Sequence, residues 1–124
     1  MEFRDNQAVY LQIVDYVCEQ ILIKNWKIEE KILSIRDLAI QLQVTPNTVQ
    51  RSYDFIQNLD IISNQRGIGF FIEKDAIKKI IAYKKDQFVS KELPLFFKNM
   101  RLLKIDTKEI ESLFNNYLKN NPSK

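Results

Sequence analysis

The sequence predicts a mainly α-helical chain interrupted by one small β hairpin. Three observations carry that prediction. The 124 residues include only two glycines and three prolines, a composition that favours long helices over a turn-rich sheet. Apolar residues return every three or four positions along most of the chain, the period of a helix with one buried face. That period breaks once, where Ile61-Ile62-Ser63-Asn64-Gln65 and Phe70-Phe71-Ile72 flank Arg66-Gly67-Ile68-Gly69. Two short strand-like runs around a turn in which glycine permits positive φ make a hairpin.

The elements follow in order. Residues 8–23 place Val9, Ile13, Val14, Val17 and Ile21 on one helical face, with Asn6 as the expected N-cap. Trp26 and Ile28 carry the apolar pattern into a connector that ends at Ile32-Leu33. Ser34 is the next N-cap, because its hydroxyl can accept from the unpaired N–H groups of a first turn. Asp37 adds negative charge where the helix dipole favours it. This helix buries Ile35, Leu38, Ala39 and Leu42. Val44-Thr45-Pro46 ends it and begins another, with Thr45 as cap and Pro46 as first helical residue. The new helix covers residues 46–59. It turns Val49, Ser52, Tyr53, Ile56 and Leu59 inward, and Asn47, Gln50, Arg51 and Asp54 outward.

Beyond the hairpin, residues 75–92 read as a helix with Ile77, Ile80, Ile81 and Phe88 at helical spacing. Pro94 either kinks that helix or opens a new segment. Leu95, Phe96, Met100, Leu102 and Leu103 extend the apolar character. Asp106 with Glu109 is close to a capping box, and it precedes a last helix bearing Ile110, Leu113, Phe114, Tyr117 and Leu118.

Two helix starts, a short turn and a Gly-containing hairpin thus crowd into residues 34–73. That order describes a winged helix-turn-helix, a device for reading duplex DNA. Its docking helix needs polar side chains near its N-terminus that reach base edges. Thr45, Asn47, Thr48, Gln50 and Arg51 meet that need: Asn and Gln pair with adenine, and Arg with guanine or phosphate. Arg66, on a Gly-flanked turn, suits the minor groove or a phosphate. The fold class is therefore mainly α with a small β wing: a winged helix-turn-helix at residues 1–74, with its wing at 62–73, followed by a short helical dimerisation region at 75–124. The tail's apolar stripes are too extensive for a solvent-bathed appendage. Helix 1 or a second copy is expected to cover them, with Ile77, Ile80, Ile81, Phe88, Phe96, Leu113, Phe114 and Tyr117 as the candidate dimerisation residues.

Charge is distributed against first intuition. The net charge is +3, yet residues 1–73 hold seven Lys/Arg against ten Asp/Glu, while residues 74–124 hold twelve against six. A DNA grip must come from placed cations (Lys31, Arg36, Arg51 and Arg66), since phosphates feel charges within roughly 10 Å. The chemistry of catalysis is missing. There is no histidine, one cysteine (Cys18) on a core-like helix, and no nucleophile-elbow or P-loop spacing. No enzyme, cofactor or metal is expected. With one cysteine, no charged leader and no long apolar span, the expected location is the cytoplasm.

Three motifs make the run recognisable: Leu33-Ser34-Ile35-Arg36-Asp37-Leu38-Ala39, Val44-Thr45-Pro46-Asn47-Thr48-Val49, and Arg66-Gly67-Ile68-Gly69-Phe70-Phe71-Ile72. In order and spacing they resemble the GntR family of bacterial transcription regulators over about residues 8–73. The Pro46-to-Arg51 stretch and the short tail look most like its YtrA subfamily. The resemblance implies that Arg36 contacts DNA from the helix before the reading helix. It also implies that Thr45, Asn47, Thr48 and Gln50 approach bases or phosphates, and that Arg66 and Gly67 form the wing tip. Ser34 and Arg51 complete the candidate DNA-contact set. Leu33-Ser34 replaces the usual Pro-Ser, Pro46 stands where many relatives carry arginine, and Gln50 stands where some do.

The expected function is a homodimeric repressor that binds a palindromic double-stranded operator. Two alternatives are a winged-helix protein-interaction module, which would lack a steep salt dependence, and a regulator tuned by a small apolar ligand held between tail helices.

Overall fold

The computed structural model describes residues 1–123. The elements run α1 (Val9–Leu22), α2 (Ile35–Leu42), α3 (Pro46–Asn58), β1 (Ile62–Gln65), β2 (Gly69–Ile72), α4 (Ala76–Gln87), a π-helical turn (Phe88–Glu92), α5 (Leu93–Leu102) and α6 (Thr107–Asn120). They form two compact units, Met1–Tyr83 and the residues from Lys84 onward. Among the described residues, no helix is long and apolar enough to cross a membrane.

The first unit is built on a core from every one of its elements. Ile13, Val14, Val17, Cys18 and Ile21 of α1 meet Leu38, Ala39 and Leu42 of α2, and Val49, Tyr53 and Ile56 of α3. Ile61, Ile62 and Ile72 close it from the hairpin, and Ala76 and Ile80 from α4. The inner stripes of α2 and α3 are those read from the sequence, except that Ile35 and Leu59 are only partly buried. The start of α1 differs. Val9 is exposed and Asn6 caps nothing; Ala8 stands at the N-cap without a side-chain bond. Gln12 orders the preceding loop instead. Its amide donates to the Arg4 and Gln7 carbonyls at 2.7 and 2.8 Å and accepts from the Arg4 N–H at 2.8 Å. That satisfies a side chain only 4% exposed.

β1 and β2 pair antiparallel, with Ile62 opposite Ile72 and Gln65 opposite Gly69. The connector before α2 adds a short ladder that the sequence reading did not anticipate. The Ile32 N–H donates to Phe70 O, the Glu29 N–H to Ile72 O, and the Ile72 N–H to Glu30 O, at 2.8–3.1 Å. β2 is therefore flanked on both sides.

Two expectations shift at α4. Ala76 and Ile80 are buried, and Ile77 and Tyr83 pack on the core. The first compact unit accordingly includes the start of α4 and runs to Tyr83. In the second unit, the π-helical turn resolves the Pro94 question. α5 begins with Pro94 in its first turn, and the wider turn before it gives room for a ring that would strike the carbonyl four residues back in a regular helix. Asp106 caps α6 as expected, its Oδ1 accepting from the Glu109 N–H at 2.9 Å.

Candidate nucleic-acid interface

α2 and α3 meet at a corner set by local chemistry. Ser34 Oγ accepts from the Asp37 N–H at 3.0 Å and so starts α2. Gln43 ends it in the left-handed conformation, φ 58°, and the Val44 N–H returns to Ala39 O at 3.0 Å. Thr45 opens α3, its Oγ1 accepting from the Thr48 N–H at 3.4 Å and lying 2.8 Å from Thr48 Oγ1. Pro46 occupies the first turn, where its missing N–H has no partner to lose. α3 thus begins with a fixed direction, and the N-terminus of a helix is a favourable end for a phosphate.

The two faces of α3 divide cleanly. On the inner face, Tyr53 is fully buried and its hydroxyl donates to Leu33 O at 2.7 Å. Burial pushes its pKa far above the usual tyrosine range, so it remains a neutral donor. Its ring packs edge-on against Phe70 at 4.9 Å, locking α3 to β2. Ser52, also buried, donates to Tyr10 O at 2.8 Å and Thr48 O at 3.0 Å. On the outer face, Asn47, Gln50, Arg51 and Asp54 are exposed. Gln50 Nε2 donates to Asp54 Oδ1 at 2.9 Å, and the Arg51 guanidinium lies 3.8 Å from the centre of the Tyr10 ring.

At the wing, Arg66 and Ile68 are exposed, and the Ile68 N–H closes the turn on Gln65 O at 2.9 Å. Gly67 has φ +78° and open space where a Cβ would go. Gly69 has φ +142°, and a Cβ there would stand 2.7 Å from Lys31 Cε. The stem of Lys31 therefore lies against the wing and holds its ammonium there.

Of the predicted contact residues, Arg36, Asn47, Gln50, Arg51, Arg66 and Gly67 are exposed. Ser34 and Thr45 are exposed but spend their hydroxyls as caps, and Thr48 is half-buried and bonded to Thr45. Sequence reasoning missed Tyr10 as part of this surface and counted Lys31 only as a nearby charge. A glycine inside a strand was the available hint that another group approaches closely. Of the candidate dimerisation residues, Ile80 is buried in the first unit's own core and Ile77 is partly buried against it. Ile81, Phe88, Phe96, Leu113, Phe114 and Tyr117 are exposed. Among the described residues, no group of His, Cys, Asp or Glu could hold a metal ion.

No family profile matches the chain. Individual proteins do. The HTH-type transcriptional regulator YhcF of Bacillus subtilis is 34% identical over 109 residues, 88% of this chain and 88% of YhcF. The HTH-type transcriptional repressor YtrA of the same organism is 33% identical over 73 residues, 59% of this chain and 56% of YtrA. A crystal structure from Bacteroides thetaiotaomicron, solved as a GntR-family transcriptional regulator, superposes with a TM-score of 0.82 at 38% identity. It covers 91% of this chain and 98% of that one. These relatives carry the names of transcriptional regulators, and the YhcF and Bacteroides matches span about nine-tenths of this chain. With its capped reading helix and Gly-based wing, the chain belongs to the GntR family of helix-turn-helix transcriptional regulators, among the relatives of YhcF and YtrA.

Proposed function

We propose that this chain is a sequence-specific repressor that binds a palindromic operator as a homodimer in the cytoplasm. One observation carries the reading: Asn47, Gln50 and Arg51 are exposed on the first two turns of a capped α3, outside the core. In the major groove, Asn47 and Gln50 are matched to adenine, and Arg51 to guanine or phosphate. Arg36 and Arg66 contact the flanking backbone, with Lys31 beside the wing. The acidic balance of residues 1–73 is tolerable because phosphates feel charges within roughly 10 Å, and Lys31, Arg36, Arg51 and Arg66 are exposed on or beside these elements.

Dimerisation is supported by the exposed apolar side chains of Ile81 on α4 and of Phe88, Phe96, Leu113, Phe114 and Tyr117 in the second unit, since exposed apolar surface marks sites of association. A two-fold dimer would pair with a two-fold operator. The similarity to YtrA, a repressor, supports the direction of control.

The test is a gel-shift titration with duplexes selected by the wild-type protein. Arg36→Ala and Arg66→Ala should weaken binding, with circular dichroism and melting temperature unchanged, and affinity should fall steeply with salt. Binding that is insensitive to both substitutions and to salt would remove the DNA assignment and favour the protein-interaction module.

A further inference from the structure

We propose that Tyr10, on the first turn of α1, is the positioning residue for Arg51, and that its aromatic face sets how the reading helix presents that arginine. The inference rests on the DNA-reading role of α3 and deepens it.

The guanidinium of Arg51 stacks 3.8 Å from the Tyr10 ring centre. A guanidinium seated over a ring can keep its N–H edge for the paired bonds it makes to guanine or phosphate. The obvious competitor on α3 is otherwise occupied. Asp54, three residues along the same face, takes its hydrogen bond from Gln50, and Arg51 forms no ion pair with a described residue.

Tyr10 is itself held firmly. Its ring packs edge-on against Phe55 with centroids 6.3 Å apart, and Phe55 packs against Tyr83 at 5.7 Å. Its carbonyl accepts from Ser52 Oγ at 2.8 Å. Two consecutive residues of α3 thus grip one residue of α1: Arg51 through the ring and Ser52 through the backbone. An exposed arginine ordinarily has many rotamers to lose on binding. This one is already placed, which favours complex formation and fixes the direction of its N–H edge.

The hydroxyl of Tyr10 takes no part, so the ring alone is required. The experiment uses the full chain and the tightest duplex that the wild-type protein enriches from a random-sequence library. Dissociation constants are measured for wild type, Tyr10→Phe, Tyr10→Leu, Arg51→Ala and the Tyr10→Leu/Arg51→Ala double variant. Tyr10→Phe should bind like wild type. Tyr10→Leu and Arg51→Ala should each weaken binding about tenfold, and the double variant should bind no more weakly than Arg51→Ala alone. Losses that multiply in the double variant, or wild-type affinity in Tyr10→Leu, overturn the positioning role while leaving DNA binding intact. So does a Tyr10→Phe variant as weak as Tyr10→Leu. If no duplex is enriched at all, the DNA reading falls and takes this role with it. Should Tyr10→Leu fail to fold, Arg51→Lys substitutes for it, because the site is exposed and charge is kept while the planar stack is lost. Wild-type affinity in Arg51→Lys overturns the proposal, and a loss like that of Arg51→Ala supports it.

Discussion

Replacing Gly69 by alanine tests the wing at its tightest point. Two effects act there, and they can be separated. The backbone sits at φ +142°, a conformation that side-chain-bearing residues rarely adopt. Holding alanine in so sparsely populated a region costs about 1–3 kcal/mol. The second effect is steric: the new methyl would stand 2.7 Å from Lys31 Cε. That atom is near the end of a flexible, exposed side chain, so swinging it away should cost only a few tenths of a kcal/mol, about the scale of a surface change. The backbone term therefore dominates. With a urea slope near 1 kcal/mol per molar, the unfolding midpoint should fall by roughly 1–3 M. The signal is the fluorescence of Trp26, the single tryptophan, which packs edge-on against Tyr16 at 6.3 Å. Measurements at one protein concentration keep any association constant. The Lys31→Ala/Gly69→Ala pair should recover little of the loss relative to Lys31→Ala. Full recovery would show that the clash and not the backbone makes glycine necessary. An unchanged midpoint in Gly69→Ala would refute both terms.

Other outcomes follow from the same geometry. Ser34→Ala removes the cap on Asp37 N and should lower stability by about 1 kcal/mol, read by thermal melting. Tyr53 has a raised pKa in the folded state, so its contribution is fully present below the unfolded tyrosine value near 10 and is lost as pH rises above it. Between pH 9.5 and 11, the wild type should lose about 1 kcal/mol more unfolding free energy than Tyr53→Phe, measured in denaturant titrations at both pH values. Ile80→Ala should destabilise the first unit by about 2–5 kcal/mol because its side chain is fully buried. Phe114→Ala, at a side chain 56% exposed, should instead shift sedimentation toward monomer while leaving helical content unchanged.

The parts legible in the sequence were those governed by local chemistry. Ser34, Thr45 and Asp106 announce helix starts because a side-chain oxygen three residues before an unpaired N–H has one obvious use, and all three make that bond. The inner stripe of α3 was legible because Val49, Tyr53 and Ile56 repeat at helical spacing. Asn6 misled because a capping residue is common in any polar loop. Here Gln12 ordered that loop through bonds spanning eight residues. The ladder between residues 29–32 and β2 was invisible, since its register depends on a partner some forty positions away and its own residues show no alternating pattern. Ile80 looked like its neighbours Ile77 and Ile81, and only packing separates the fully buried Ile80 from the partly buried Ile77 and the exposed Ile81. Tyr10 was hidden for the same reason: its role depends on which turn of α1 lies beneath Arg51.

The ladder beside β2 also bears on how the chain reaches its fold. Pairing residues 29–32 with 69–72 ties α2 and α3 into a loop closed at its base by main-chain bonds. Closing a loop of that length is entropically slow compared with forming either helix. The two helices should therefore be born early and docked late, with the wing as the last piece to set. Once closed, the ring gives neither end of the reading helix a free terminus from which to fray. In hydrogen exchange, the amides of Ile32 and Ile72 should then open together with α3, as one cooperative unit.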